Sequence, residues 1–296
     1  MTTAMDLLWP AEPARAPRRR PAARGERLLR AGLALADRVA PAVAEWEAAR
    51  LFTTPRPRRP RDPVVEGVDA SPRAFVAAGF PMVGWSWGEG PAVLLVHGWN
   101  GRAADMAPLA GALVRAGFRA VAVDLPAHGR SPGRRTSVAE WAAALPALGE
   151  QLGPLRAIVG HSLGGAAITL ALEAGLRARG AALVAPARRP HEYVARLGTY
   201  LGLPHRLDGI VRRIETRVGR DLDWFDTTRA AAGLALPALV LHDPHDDDVP
   251  WSHGAALAES WPGARLVPTP GEGHYDILGA DVTLERVTEF VRGLDS

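Results

Sequence analysis

The sequence contains neither cysteine nor lysine. Without cysteine there can be no disulfide framework, no zinc-thiolate site and no thiol nucleophile. That lack fits a reducing compartment, and a cytoplasmic location is the expectation. Long apolar runs are missing too: none reaches the roughly 18 residues of a membrane-spanning helix. The apolar-rich stretch Leu28 to Leu51 is broken by Arg30, Asp37, Arg38, Glu45, Glu47 and Arg50. Those charges exclude the core of a signal peptide. A soluble chain is expected, and its oligomeric state is not written in the sequence.

What is present suits one large α/β domain. The 296 residues are 47% apolar and 23% charged, with 31 Gly and 26 Pro to punctuate many short elements. All 35 basic residues are arginine, and the net charge of +3 is unevenly placed. Residues 1–62 hold 13 Arg against 7 acids, whereas the remainder holds 22 against 25. Residues 1–62 therefore read as a basic Arg/Pro-rich arm with one helix, and residues 63–296 as the main domain. Proline and arginine cluster at Pro13–Arg20 and Pro55–Pro63, bracketing a predicted helix over about 25–51 that is interrupted at Pro41. A solvated leader is the simpler reading of the arm. Contact with an anionic surface is the alternative, and a nucleic-acid partner is not expected.

Beyond Phe75 the pattern alternates between strand and helix. Strands are predicted at Met82–Trp87, Ala92–His97, Ala120–Asp124, Arg156–Gly160, Ala182–Ala185, Ala238–His242 and Ala264–Val267. Helices are predicted near Ala103–Ala116, from Ser137 to Leu152, from Leu163 to about Ala178, near Ser252–Ser260 and from Val282. Ser137 and Glu140 form a capping-box signature. Apolar strands alternating with helices imply a mostly parallel sheet, buried on both faces, with its chemistry at the carboxyl ends of the strands.

Gly160-His161-Ser162-Leu163-Gly164 matches G-x-S-x-G in the setting that motif requires. The apolar strand Ala157–Val159 runs into it and an Ala/Leu helix leaves it. The flanking glycines permit a tight turn that lifts the serine hydroxyl clear of the sheet, so Ser162 is the candidate nucleophile. The amide of Leu163 is one candidate oxyanion donor. The loop after Ala92–Val96, His97-Gly98-Trp99-Asn100-Gly101, supplies the other, Trp99.

A serine hydroxyl needs an adjacent base. In chains with this elbow, the acid and then the histidine follow the serine. His274, in Pro270-Gly-Glu-Gly-His274-Tyr275, is preferred over His253 at a predicted helix start. Asp246 in Asp-x-x-Val-Pro is the candidate acid, with Asp243 as a loop buttress and Asp247 and Asp248 as solvated turn residues. His242, His245 and these aspartates have the density of a metal site, but triad spacing accounts for them without a cation. No metal and no cofactor is expected.

These residues resemble the α/β-hydrolase superfamily, and within it bacterial serine hydrolases of the H-G-W and G-H-S-x-G-G type. The resemblance runs from about Met82 to the C-terminus. Asp124-Leu-Pro-Ala-His128-Gly129-Arg-Ser131 is similar to that family's D-x-P-x-H-G-x-S loop, which implies a structural His128. The resemblance also implies a short helical cap over about 188–234. Related epoxide hydrolases and haloalkane dehalogenases carry aspartate at the elbow, so Ser162 argues against both. The function expected is a carboxylesterase-like hydrolase acting on a small-molecule acyl substrate by a two-step acyl-enzyme route. Thioesterase, lactonase and cofactor-free haloperoxidase-like activities use the same triad and stay open. A non-catalytic binding protein on the same scaffold is a further alternative.

Overall fold

The computed structural model describes residues 24–56, 59–70 and 72–294. The Pro13–Arg20 cluster and part of the Pro55–Pro63 cluster lie outside these residues. Eight strands form one sheet: β1 (Arg73–Ala77), β2 (Phe80–Trp87), β3 (Ala92–Val96), β4 (Arg119–Asp124), β5 (Leu155–His161), β6 (Ala181–Val184), β7 (Ala238–His242) and β8 (Ala264–Pro268). Their order across the sheet is β1-β2-β4-β3-β5-β6-β7-β8. β1 and β2 are antiparallel to their neighbours, and β4 through β8 run parallel.

The sheet explains the continuous apolar runs. Every residue of β3 is buried, because successive side chains enter opposite cores. Leu94 and Val96 join one hydrophobic cluster, and Val93 and Leu95 the other. The first cluster packs under α4 (Val138–Leu152), α5 (Leu163–Glu173) and α9 (Trp251–Ser260); the second packs under α3 (Ala107–Arg115) and α10 (Asp281–Gly293). The anticipated capping box opens α4. Ser137 Oγ accepts the Glu140 amide at 3.3 Å, and the Glu140 carboxylate accepts the Ser137 amide at 2.9 Å.

Three local expectations are corrected. The arm carries two helices in its described residues, α1 (Arg24–Val39) and α2 (Pro41–Phe52), where the sequence suggested one. Pro41 starts α2 without an amide hydrogen and forces Ala40 out of the helical region, to φ −153° and ψ 71°. β1 is an addition to the expected strands; it buries Phe75 and Ala77, but the outward Val76 between them is apolar too, so its residues carry no polar–apolar alternation. α5 stops at Glu173, short of Ala178, because Gly175 takes φ +104° just beyond it.

Between β6 and β7 the chain forms α6 (Pro190–Leu201), α7 (Leu207–Val218) and α8 (Thr227–Ala231). The two N-terminal helices pack against this insertion. Ala44 and Ala48 are fully buried, and Asp37 accepts from Arg206 Nε at 2.7 Å and from His205 Nε2 at 2.8 Å. Glu45 accepts from Arg213 Nε at 3.2 Å. The chain then passes the loop after β3, where the Arg56 amide donates to Asn100 Oδ1 at 2.7 Å.

Candidate active site

The elbow between β5 and α5 is built from close backbone approaches. Ser162 has φ +54° and ψ −124°, a conformation that a side chain adopts only under constraint. Its amide donates to Val184 O at 2.9 Å and its carbonyl accepts from Gly165 N at 2.9 Å. The glycines around it are required by space. A Cβ at Gly160 would lie 2.4 Å from Ile168 Cδ1 and 2.9 Å from the Gly164 carbonyl. At Gly164 it would lie 2.4 Å from His97 O and 2.6 Å from Val96 O, which are backbone atoms of the neighbouring strand end. Gly164→Ala is therefore expected to destabilise the chain by about 3 kcal/mol or more, since the end of β3 must move. Urea unfolding measures this, and a loss below about 1 kcal/mol would contradict the close approach.

The loop after β3 reaches the same point. A Cβ at Gly98 would stand 2.9 Å from Ser162 Cβ, so only glycine lets the loop pass beside the serine. Trp99 is anchored by ring contacts to His128 (5.4 Å between centroids) and Trp141 (5.5 Å). Asn100, at φ +58°, donates its amide to His128 Nε2 at 3.1 Å. His128 thus holds the loop through Nε2 and faces Pro126 O through Nδ1 at 3.0 Å.

The structure brings Ser162, His274 and Asp246 together. His274 Nε2 lies 3.0 Å from Ser162 Oγ, and His274 Nδ1 lies 2.7 Å from Asp246 Oδ2. With the Nδ1 proton directed at the carboxylate, Nε2 is left as an acceptor for the hydroxyl proton. Asp246 Oδ1 accepts the amides of Asp248 (2.8 Å) and Val249 (2.9 Å). His242 Nε2 donates to Val249 O at 2.9 Å and stands 3.5 Å from Asp246 Oδ2, close enough to support the carboxylate. Burial by itself would raise the Asp246 carboxyl. Hydrogen bonding from His242 and His274, the charge of His274 and the Val249 amide outweigh it and hold the group well below the usual carboxylate range.

Asp243 sits against the other side of the histidine loop, where its carboxylate accepts the amides of Gly273 and His245. Asp247 and Asp248 are exposed. Both ring nitrogens of His253 are engaged elsewhere: Nδ1 accepts the Arg188 amide at 3.1 Å and Nε2 meets Glu192 at 2.9 Å. Among the described residues, no group of three or more His, Asp or Glu side chains is arranged to hold a metal ion.

His161 occupies the variable position of G-x-S-x-G, and the order of serine, acid and histidine along the chain gives it no part as the base. Its Nε2 donates to the His274 carbonyl at 2.8 Å, and its ring lies 4.7 Å from the His274 ring. Burial, with the neighbouring His274 second, pushes the His161 imidazole down to about 3, so it acts as a neutral donor. Its signal was a polar residue ending an otherwise apolar strand, too weak to separate from the motif around it.

Fold and site together define a hydrolase of the α/β class. A family model for the alpha/beta hydrolase family matches residues 93–290, and the chain belongs to that family. An uncharacterized protein of Mycobacterium tuberculosis is 32% identical over 251 residues, covering 78% of this chain and 79% of that protein. The pimeloyl-[acyl-carrier protein] methyl ester esterase of Xanthomonas oryzae pv. oryzae is 31% identical over 255 residues, covering 69% of this chain and 96% of the enzyme. Among solved structures, an esterase of Pyrococcus furiosus superposes with a TM-score of 0.65 at 19% identity, covering 80% of this chain and 98% of the other.

Proposed function

We propose that this chain is a serine esterase that cleaves a carboxylic ester through Ser162, His274 and Asp246. The reading rests on one observation, the continuous contact from carboxylate to imidazole to hydroxyl at 2.7 and 3.0 Å. The methyl ester esterase activity for which the Xanthomonas relative is named supports the bond type.

The chemistry follows from the geometry. His274 Nε2 takes the Ser162 proton as Oγ bonds to the carbonyl carbon, and Asp246 stabilises the imidazolium that results. The carbonyl oxygen becomes an oxyanion facing the N–H of Leu163, the first residue of α5, whose amide has no acceptor within its own helix. The Trp99 amide is the second donor, carried beside Ser162 by the tight passage at Gly98. His274 returns its proton to the departing alkoxide, which leaves as an alcohol. Water then gives a proton to His274 and its oxygen to the acyl carbon. The acid is released, and Ser162 recovers its proton. His161 and Asp243 position the His274 loop and touch no reacting atom. The segment 190–231, α6 through α8, serves as the cap, and the substrate is a small-molecule acyl ester.

A fluorophosphonate reagent tests this directly. Intact-mass and peptide analysis is expected to find one adduct per chain on Ser162, in parallel with loss of p-nitrophenyl ester hydrolysis. An adduct elsewhere, or ester turnover that survives full labelling of Ser162, would remove the proposed nucleophile.

A further inference from the structure

The outward side of α1 is apolar, although its inward side already does the packing. Leu29, Leu33 and Ala36 face the main hydrophobic cluster. Leu28, Leu35 and Val39 lie about a third of a turn away, outside that packed side, and are 67%, 62% and 74% exposed. Their spacing of seven and four residues puts them in one stripe along the helix. Past the break at Ala40, α2 adds Val43 and Trp46, exposed by 54% and 50%. Scattered exposed apolar residues are ordinary, but a stripe of them marks a contact surface.

Charge is sorted in the same way. Both acids of α1 turn toward the cap, Asp37 to Arg206 and His205, and Glu26 to the Tyr200 hydroxyl. Arg27, Arg30 and Arg38 are exposed; the helical period sets Arg27 and Arg38 at the edge of the apolar stripe and turns Arg30 toward Tyr200. In the sequence before α1, Arg15, Arg18, Arg19 and Arg20 stand against Asp6 and Glu12 alone. A second copy seated symmetrically on this face would set arginine against arginine. An anionic lipid surface complements both features: aliphatic side chains enter the acyl boundary while guanidinium groups meet phosphates. No helix among the described residues is long and apolar enough to cross a membrane, so such contact is peripheral.

We infer that α1, with the start of α2, is a peripheral docking surface for anionic phospholipid. The helix lies in the membrane plane with Leu28, Leu35 and Val39 inserted and Arg27 and Arg38 at headgroup level.

Vesicle flotation of the full chain tests the assignment. At low salt the chain is expected to float with phosphatidylcholine vesicles that contain phosphatidylglycerol, and to stay behind with phosphatidylcholine alone. Combining Leu28→Ser, Leu35→Ser and Val39→Ser is expected to weaken partitioning at least ~10-fold, three buried aliphatic side chains being lost. The urea midpoint is expected to hold, because these side chains are exposed. Arg27→Gln with Arg38→Gln is expected to weaken binding and flatten its salt dependence. The assignment falls if the parent chain is not retained on anionic vesicles, or if the triple variant binds as well as the parent. It also falls if the triple variant unfolds markedly more easily, since the stripe would then be packing within the chain. A parent dimer that becomes monomeric in the triple variant, without vesicle retention, would hand the face to a second copy.

Discussion

Ser162→Ala is expected to lower kcat for ester hydrolysis by about 10⁶-fold, with the fold unchanged. The magnitude follows from the proposed mechanism, in which the three side chains act as a unit. Once Oγ is gone, no covalent acyl-enzyme can form, and the oxyanion donors act only on a bound ester attacked by water. His274→Ala leaves Oγ in place but without a base and is expected to cost a similar factor. The double variant is expected to be hardly worse than either single one, because each change already disables the same step. Asp246→Asn keeps the shape but presents the wrong hydrogen-bonding partner to Nδ1, and a fall of about 10⁴-fold in kcat is expected. Steady-state kinetics on a p-nitrophenyl ester, with circular dichroism as the control for folding, check the set. Fully additive losses in the double variant would mean that the two side chains act independently, contrary to the 3.0 Å contact between them.

Acidification is expected to remove several kcal/mol of stability between about pH 6.5 and pH 4. Three buried histidines carry this effect. Burial pushes His128 down to about 4 from an ordinary value of 6.5, and does the same to His161, down to about 3. It also lowers His253, against the opposing pull of Glu192. Hydrogen bonding gives an independent reason for neutrality at two of them. His128 Nε2 accepts the Asn100 amide and His253 Nδ1 accepts the Arg188 amide, so a proton there would set N–H against N–H. In the unfolded chain all three titrate near pH 6.5. Below that value the unfolded chain binds more protons than the folded one, so stability falls as pH falls. The slope approaches about 1.4 kcal/mol per pH unit for each histidine that stays neutral. Asp246 acts over a different window. Its folded-state value is depressed, so its contribution is complete above the ordinary carboxylate range and is lost only when pH drops through that lower value. Urea unfolding from pH 7.5 to 4.5 checks the profile, and a flat free energy would mean that these imidazoles charge without unfolding the chain. His128→Gln is expected to reduce the slope by one histidine's share.

How much of this was legible in the residues depends on the range over which each feature is determined. Local features read well. The elbow, its glycines, the capping box at Ser137 and the apolar strands are set by contacts within a few residues, and the sheet they build is the one observed. The residues of the candidate site were also within reach, because Ser162, Asp246 and His274 follow a fixed order along the chain and each ends a strand or occupies the loop after one. Less local features did not read. β1 is defined by its pairing with β2, because an apolar Val76 on its exposed face hides the alternation from the sequence. The role of His161 depends on a carbonyl 113 residues away.

The amino-acid sequence by itself determined the α/β class, the strained turn at Ser162 and the identity of the groups available for acid–base work, since strand burial, turn sterics and side-chain chemistry are local properties. Only the tertiary structure decided which partners those groups meet. The loop carrying His274 is held by Asp243 and His161, and α1 turns its acids to the insertion of α6 to α8 and leaves an apolar, arginine-edged face outside. Those outcomes depend on distances between segments remote in sequence, and such distances exist only once the cores on both sides of the sheet have packed.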